Sequence, residues 1–313
     1  MNDQIVESLF ANRMMPLDRA AMPSLASIAQ LRVGASTVDD LARRRAGMFD
    51  KESATIRVQR SGSTAIVPLT GLITSDSLLA WIFGGTNPDI FVNALEQEIR
   101  STSVDRVVML VDSPGGEVGL ITETAARIRR LRASKPIIAI ARTTMCSAAY
   151  WLAASASQVV ATPSAHVGSV GVFMCHAEQS RMLDKAGITV TYITSDPRKV
   201  EGNPHEVLHD EARAHLKRSV DETHENFIAD LAAGLSTSAA NIRANFGGGR
   251  AFGAAEALRR GMVSKISTLE DLLAGFAVRG PGGAAARAFH SDDLQIRADV
   301  DAAAAAIAIV GAL

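Results

Sequence analysis

The chain has 313 residues, 47% of them hydrophobic, enough to bury a full enzyme core and unlike the composition of a disordered polymer. Thirty-two basic residues against 33 acidic ones leave a formal net charge of −1, so no long-range attraction draws it to nucleic acid or to an anionic membrane. Two cysteines, Cys146 and Cys175, read as reduced thiols of a cytoplasmic protein rather than as a disulfide framework.

The N-terminal stretch MNDQIVESLFANRMMPLDRA places Asp3 and Glu7 where a signal peptide needs a basic and then an apolar run. Residues 1–60 read as an N-terminal extension, with Ser36 or Thr37 able to cap a helix that carries Arg43, Arg44 and Arg45 on its solvated face. From Ala65 the texture changes. Short β-rich runs (AIVPLTGLI, VDRVVMLVD, PIIAIA, SQVVAT, GSVGVF and ITVTYIT) are separated by helical stretches such as NALEQEIRS and EVGLITETAARIRRLRAS. Apolar strands alternating with amphipathic helices predict a layered α/β core with largely parallel strands. A long helix is expected from about His209 to Leu235, then AAEALRRG with Gly261 as its C-cap, then VSKI as a last strand. The globular domain is expected over 61–275, and 276–313 reads as a Gly/Ala-rich linker and a low-complexity tail. The apolar run from Ala302 to Leu313 is short of the ~20 residues that span a bilayer, so no membrane segment is expected.

Two segments carry chemistry. In VVMLVDSPGGEV a Pro-Gly-Gly turn follows an apolar strand, and glycine there lets backbone N–H groups face a ligand, as half of an oxyanion hole would. In PIIAIARTTMCSAAYWLAAS, Ser147 sits at a strand-to-helix junction. Its bland reading is a helix cap. Its functional reading is a nucleophile favoured by the helix dipole and the N–H of Ala148, with small neighbours leaving room for a substrate backbone. The GxSxG elbow of Ser–His–Asp hydrolases is absent, since Met145 and Ala149 flank Ser147. Lys199, in TSDPRKVEGNP, is either a solvated loop residue or the general base, and a lysine acts as a base only where burial and neighbours favour its neutral form.

Taken in order, AIVPLTGLI, VDSPGGEV, ARTTMCSAAYWLAASA, ATPSAHVGSVGV, ITSDPRKVEGNP and GRAFGAAEALRRGMVSKI resemble the signal-peptide-peptidase-A group of serine peptidases, family S49, over about residues 60–275. The resemblance implies a layered ClpP/crotonase-like fold and a Ser–Lys dyad, with Ser147 as nucleophile and Lys199 as base. It also implies Ser169 as the group that orients the lysine, and the N–H groups of Gly116 and Ala148 as oxyanion donors. Gly115, Ala149 and Tyr150 are expected to line the substrate. Where the family commonly has Ala-Ser-Gly-Gly-Tyr, this chain has Cys146 before the serine and Ala148–Ala149 after it, which narrows the pocket and keeps the backbone donor. Lacking a visible membrane anchor and carrying an extra tail, the chain looks most like the phage branch, the capsid assembly or head maturation proteases. That branch implies a homo-oligomer working in the host cytoplasm or the assembling prohead, without a cofactor, on scaffold or portal proteins or on itself, the tail AAAAAIAIVGAL included.

Other readings stay open. A soluble signal-peptide-peptidase-like enzyme would degrade peptides; a crotonase-like acyl-CoA enzyme would use the glycine-rich turn without Ser147 or Lys199; an assembly factor would keep the fold and no activity. HEVLHDEARAH matches the zinc signature HExxH, with His205, His209 and His215 as ligands and Glu206 as base. Against it, Ala212 stands where the extended motif needs glycine, and Pro204 with Asp210 and Glu211 places HEVLH partly in a loop.

Overall fold

The computed structural model describes Met14–Met15 and residues 56–77, 79–80 and 84–278. The helix expected after Ser36 or Thr37, most of the linker, and the alanine-rich tail lie outside those residues.

In chain order the elements are β1 (Met14–Met15), β2 (Gln59–Ser61), β3 (Thr64–Ile73), α1 (Pro88–Arg100), β4 (Arg106–Gly116), α2 (Ile121–Leu131), β5 (Ile137–Cys146), α3 (Ala148–Ala153), β6 (Gln158–Ala161), β7 (His166–Gly168) and β8 (Phe173–Met174). Then follow α4 (Ser180–Lys185), a 3-10 turn (Pro197–Val200), α5 (Asp210–Gly234), α6 (Ala239–Asn245), β9 (Ala251–Gly253), α7 (Ala254–Arg259), β10 (Lys265–Ile266) and α8 (Leu269–Val278).

The main sheet has eight strands: the path β10-β6-β5-β4-β3-β2 is parallel except for the antiparallel edge strand β2, and off it β7 pairs parallel with the end of β5 and antiparallel with β9. Side chains alternate across it with the period of two that a strand imposes. Val67, Leu69, Val107, Met109, Val111, Ile137, Ala139 and Ala141 face the larger core, which α1, α2 and α3 cover. Ile66, Val108, Ile138, Ile140 and Val160 face the other way, onto Leu269, Leu272, Leu273 and Phe276 of α8. Leu269, Leu272, Leu273 and Phe276 form the i, i+3, i+4, i+7 stripe of an amphipathic helix laid on this face. Helices thus cover both faces of a mostly parallel sheet, the layered α/β class expected for a ClpP/crotonase-like chain.

Local chemistry explains several boundaries. Asn87 caps α1 by accepting from the N–H groups of Asp89 and Ile90, and Pro88 takes the first helical position, where no N–H is needed. Gly261 follows α7 at φ +74°, the left-handed conformation that ends a helix. Three expectations fail. The GSVGVF run forms no single strand: Gly168 ends β7, Phe173 starts β8, and the four residues between them lie outside any strand. The Pro-Gly-Gly segment is no turn: β4 continues through it, paired with Leu72 and Ile73 after a register shift beyond Thr70. And Ile188–Thr194 forms no strand: among the described residues it has no pairing partner, and Ile188, Val190, Tyr192 and Ile193 stand exposed. Among the described residues, no helix is long and apolar enough to cross a membrane.

Candidate active site

Strand β5 changes partners along its length. Its first half, through Ala141, pairs with β6, whereas Thr144–Cys146 pair with His166–Gly168 of β7. Ser147 follows at once, with its N–H donating to the carbonyl of Gly168 at 2.7 Å. The backbone there takes φ +55° and ψ −121°, a conformation sparsely populated by residues with a side chain.

The hydroxyl of Ser147 does not cap α3. It is wholly buried and, among the described residues, its Oγ has no hydrogen-bond partner. An orphaned buried hydroxyl on a strained residue costs free energy twice, so the helix-cap reading has no support in the geometry.

Two backbone donors lie beside it. Within α3 the N–H of Trp151 is the one that bonds back to the carbonyl of Ser147, so the N–H of Ala148 remains in the unspent first turn. Directly after β4 the N–H of Glu117 donates to Ile73 O on the β3 side at 2.8 Å. Strand alternation therefore turns the N–H of Gly116 toward the other edge, where β5 gives way to Ser147. A Cβ on Gly116 would overlap the Ile73 carbonyl, so glycine is required for this approach. Ser113 braces the segment: its buried hydroxyl donates to Gly71 O at 2.6 Å and accepts from Gly115 N at 3.1 Å.

Helix α3 is held by its side chains. Tyr150 is fully buried, donates from its hydroxyl to Met262 O at 2.8 Å, and has its phenol pushed well above the usual range by burial. It anchors α3 in this structure rather than facing a substrate, and Ala149 is likewise wholly buried. Trp151 stacks on Phe227 of α5, with ring centroids 4.3 Å apart, and donates its indole N–H to Asp230 at 2.8 Å. Asp230 also pairs with Arg129 of α2 at 2.6 Å, so one carboxylate ties three helices together behind the nucleophile. The sequence gives no sign of this clasp, since Asp230 reads as one more acid on a long polar helix.

Ser169 follows β7 directly, nearly buried, at φ +54°, with its N–H donating to Arg250 O. Lys199 lies apart from this group. It sits exposed on the 3-10 turn that Asp196 caps, and among the described residues its amine makes no hydrogen bond or ion pair. The structure therefore brings together Ser147, Ala148, Gly116 and Ser169 and leaves Lys199 out of hydrogen-bond contact with Ser147. The zinc reading loses its geometry. His209 precedes the first turn of α5, His205 lies in the preceding loop with its ring stacked on Tyr192 and Nδ1 2.6 Å from the Tyr192 hydroxyl, and Glu206 bonds Asn203. The two histidines share no helical face, which HExxH chemistry requires. Cys146 is buried, with its thiol directed at His166 O at 3.9 Å, and Cys175 is exposed; neither is in a disulfide.

Comparison with known proteins shows what the chain is similar to. Residues 129–278 match the model of peptidase family S49. The chain is 34% identical to the capsid assembly protease C of Escherichia phage lambda over 55% of its own length and 40% of that protein's. It is 35% identical to the head-tail preconnector protein GP5 of Enterobacteria phage P21, over 56% of this chain and 36% of the relative. A putative protease of Methanocaldococcus jannaschii is 30% identical over 58% of each chain. The matches thus span well under two thirds of these relatives' own lengths. Among solved structures, a membrane-bound stomatin-specific protease overlaps 68% of this chain and 84% of its own at 14% identity, TM-score 0.38. A probable enoyl-CoA hydratase/isomerase from Mycobacterium abscessus overlaps 72% and 73% at 17% identity, TM-score 0.41.

Proposed function

We propose that this chain, whose residues 129–278 match the model of peptidase family S49, is a serine endopeptidase that cleaves polypeptides through an acyl-enzyme on Ser147. The observation that carries this reading is the buried Ser147 hydroxyl, unpartnered and strained at the end of a strand. Nothing in the packing rewards a serine there, and acyl transfer does. Its Oγ attacks the scissile carbonyl, and the N–H groups of Gly116 and Ala148 receive the oxyanion of the tetrahedral intermediate. Lys199 takes the serine proton, returns it to the leaving amine, and then activates the water that releases the acyl group, with Ser169 orienting the lysine.

For that chemistry Lys199 has to leave solvent. The large hydrophobic side chains that stand exposed among the described residues (Met182, Ile188, Val190, Tyr192, Ile193 and Val207) all lie on the segment that carries it. Docking of this segment against another copy of the chain buries them and supplies a lysine to a Ser147. Homo-oligomerisation is thus part of the proposed mechanism. The similarity to phage lambda and P21 head proteins supports a substrate within an assembling capsid, scaffold, portal or the chain itself.

The test is casein cleavage by wild type, Ser147→Ala, Lys199→Ala and His209→Ala, each with and without chelator. Loss in the first two variants alone is expected. Retention of activity in Ser147→Ala, or its loss to chelator, overturns the reading. Mixing inactive Ser147→Ala with inactive Lys199→Ala restores part of the activity if copies exchange lysines, and none if each subunit uses its own.

A further inference from the structure

Strand β8 starts four residues beyond Ser169, so Phe173 lies within ~14 Å of Ser169 along even a fully extended chain. It belongs to neither neighbour in the main sheet. Among the described residues its one strand partner is β1, antiparallel, with Met14 opposite Met174 and Met15 opposite Phe173. An edge strand with unpaired N–H and C=O groups accepts any extended polypeptide through its backbone, whatever its side chains. The sequence of the occupant fits: Pro16 follows Met15 and disfavours helix at the residue before it, which keeps Met15 extended, and it ends the donor series there. Ser147 is wholly buried, so an incoming chain has to displace something to reach it.

We infer that the edge of Phe173–Met174 is a docking strand for extended polypeptide beside Ser147, and that the segment through Met14–Met15 of this chain occupies it in competition with substrate. The inference deepens the peptidase reading and rests on it for the competition, but not for the docking itself. The pairing is antiparallel, and the ladder bonds backbone to backbone, so a substrate strand on the same edge would be read for extension and for the absence of proline more than for particular side chains.

The test uses the full chain carrying Ser147→Ala, with and without Met14→Pro and Met15→Pro together, which remove both amide donors of β1. Antiparallel pairing alternates hydrogen-bonded and non-hydrogen-bonded pairs, so one of the two amides Phe173 and Met174 faces β1; hydrogen exchange at that amide is expected to accelerate by about tenfold or more in the proline variant, while the amides of Ile137–Ala141 stay protected and report an intact fold. Adding a synthetic peptide of residues 9–20 is expected to restore the protection. Unchanged exchange at Phe173 and Met174, or no recovery with the peptide, overturns the docking strand. If the core amides also lose protection, Met15→Pro alone, which keeps the Met14 donor, is measured under the same criteria. In the active background the two prolines are expected to lower KM for casein about tenfold with kcat unchanged, as follows if the tethered strand holds the edge about nine-tenths of the time. An unchanged KM overturns the competition. Absence of cleavage in every variant, with the exchange results intact, sinks the peptidase reading and leaves the docking strand standing.

Discussion

Replacing the nucleophile should stabilise the protein in two separable steps. Ser147 holds φ +55° and ψ −121° with a side chain attached, a strain worth ~1–3 kcal/mol. Its buried Oγ has no partner, which costs a further ~1–3 kcal/mol. Ser147→Ala removes the orphaned hydroxyl and keeps the strain. Ser147→Gly removes both and gives back only ~0.5–1 kcal/mol through the greater freedom of glycine in the unfolded chain. The expected gains are ~1–3 kcal/mol for alanine and ~1–5 kcal/mol for glycine, with glycine the more stable of the two. At ~2–4 °C per kcal/mol for a domain of this size, thermal unfolding should shift upward by at least ~2 °C in the first case and further in the second. Differential scanning calorimetry on the two variants and wild type measures both steps, and casein cleavage is lost in each. A glycine variant no more stable than alanine would refute the strain; a destabilised alanine variant would refute the orphaned hydroxyl, and with it the argument that function alone keeps serine at this position.

Trp151→Phe keeps the stack on Phe227 but deprives Asp230 of the indole N–H, a charge-assisted bond worth ~1.5–3 kcal/mol, so Tm should fall by ~3–12 °C; a fall under 1 °C would show that the clasp behind α3 carries no weight. Gly116→Ala places a methyl group on the Ile73 carbonyl and displaces one oxyanion donor, so kcat on casein should drop by ~10²–10³ with far less change in KM; equal loss in both parameters would argue for general unfolding instead. Burial holds His224 below the ordinary imidazole value of 6.5, with Arg243 and Lys217 pressing the same way and Glu225 and Asp221 opposing. A group depressed in the folded state contributes its stability above its unfolded value and loses it as pH falls. Urea midpoints should therefore decline below about pH 6.5 and decline less in His224→Gln; parallel curves for the two proteins would contradict this.

What the sequence made legible was whatever has a local cause. The strands over AIVPLTGLI, PIIAIA and SQVVAT, the long helix before Leu235 and the last strand at VSKI follow from apolar runs, periodicity and caps, and each forms close to where it was expected. The position of Ser147 between a strand and a helix was legible from the apolar run before it and the small residues after it. What depends on distant partners was not. Ile188–Thr194 has the composition of a strand, yet pairing is a property of two segments, and this one meets no second. The Gly115–Gly116 segment reads as a turn on glycine content alone, whereas β3 extends it as strand past a bulge. Asp230 joins Trp151 and Arg129 across 79 residues on one side, a contact that no helical periodicity announces.

Helix α8 sets a limit on how much of the C-terminus the protein can lose. A single stripe of Leu269, Leu272, Leu273 and Phe276 covers the apolar strip of Ile66, Val108, Ile138, Ile140 and Val160, and the Arg106 guanidinium rests on the outer ring at 4.5 Å. A cut anywhere beyond Val278 leaves that cover in place. A cut before Leu269 bares one whole side of the sheet, a continuous sticky surface that would drive clumping before any chemistry at Ser147 could be seen. Trimming of the alanine-rich tail, by this protein or by another, is therefore compatible with an active product only while it stops short of α8, and Val278 marks the natural place to end a shortened version for assay.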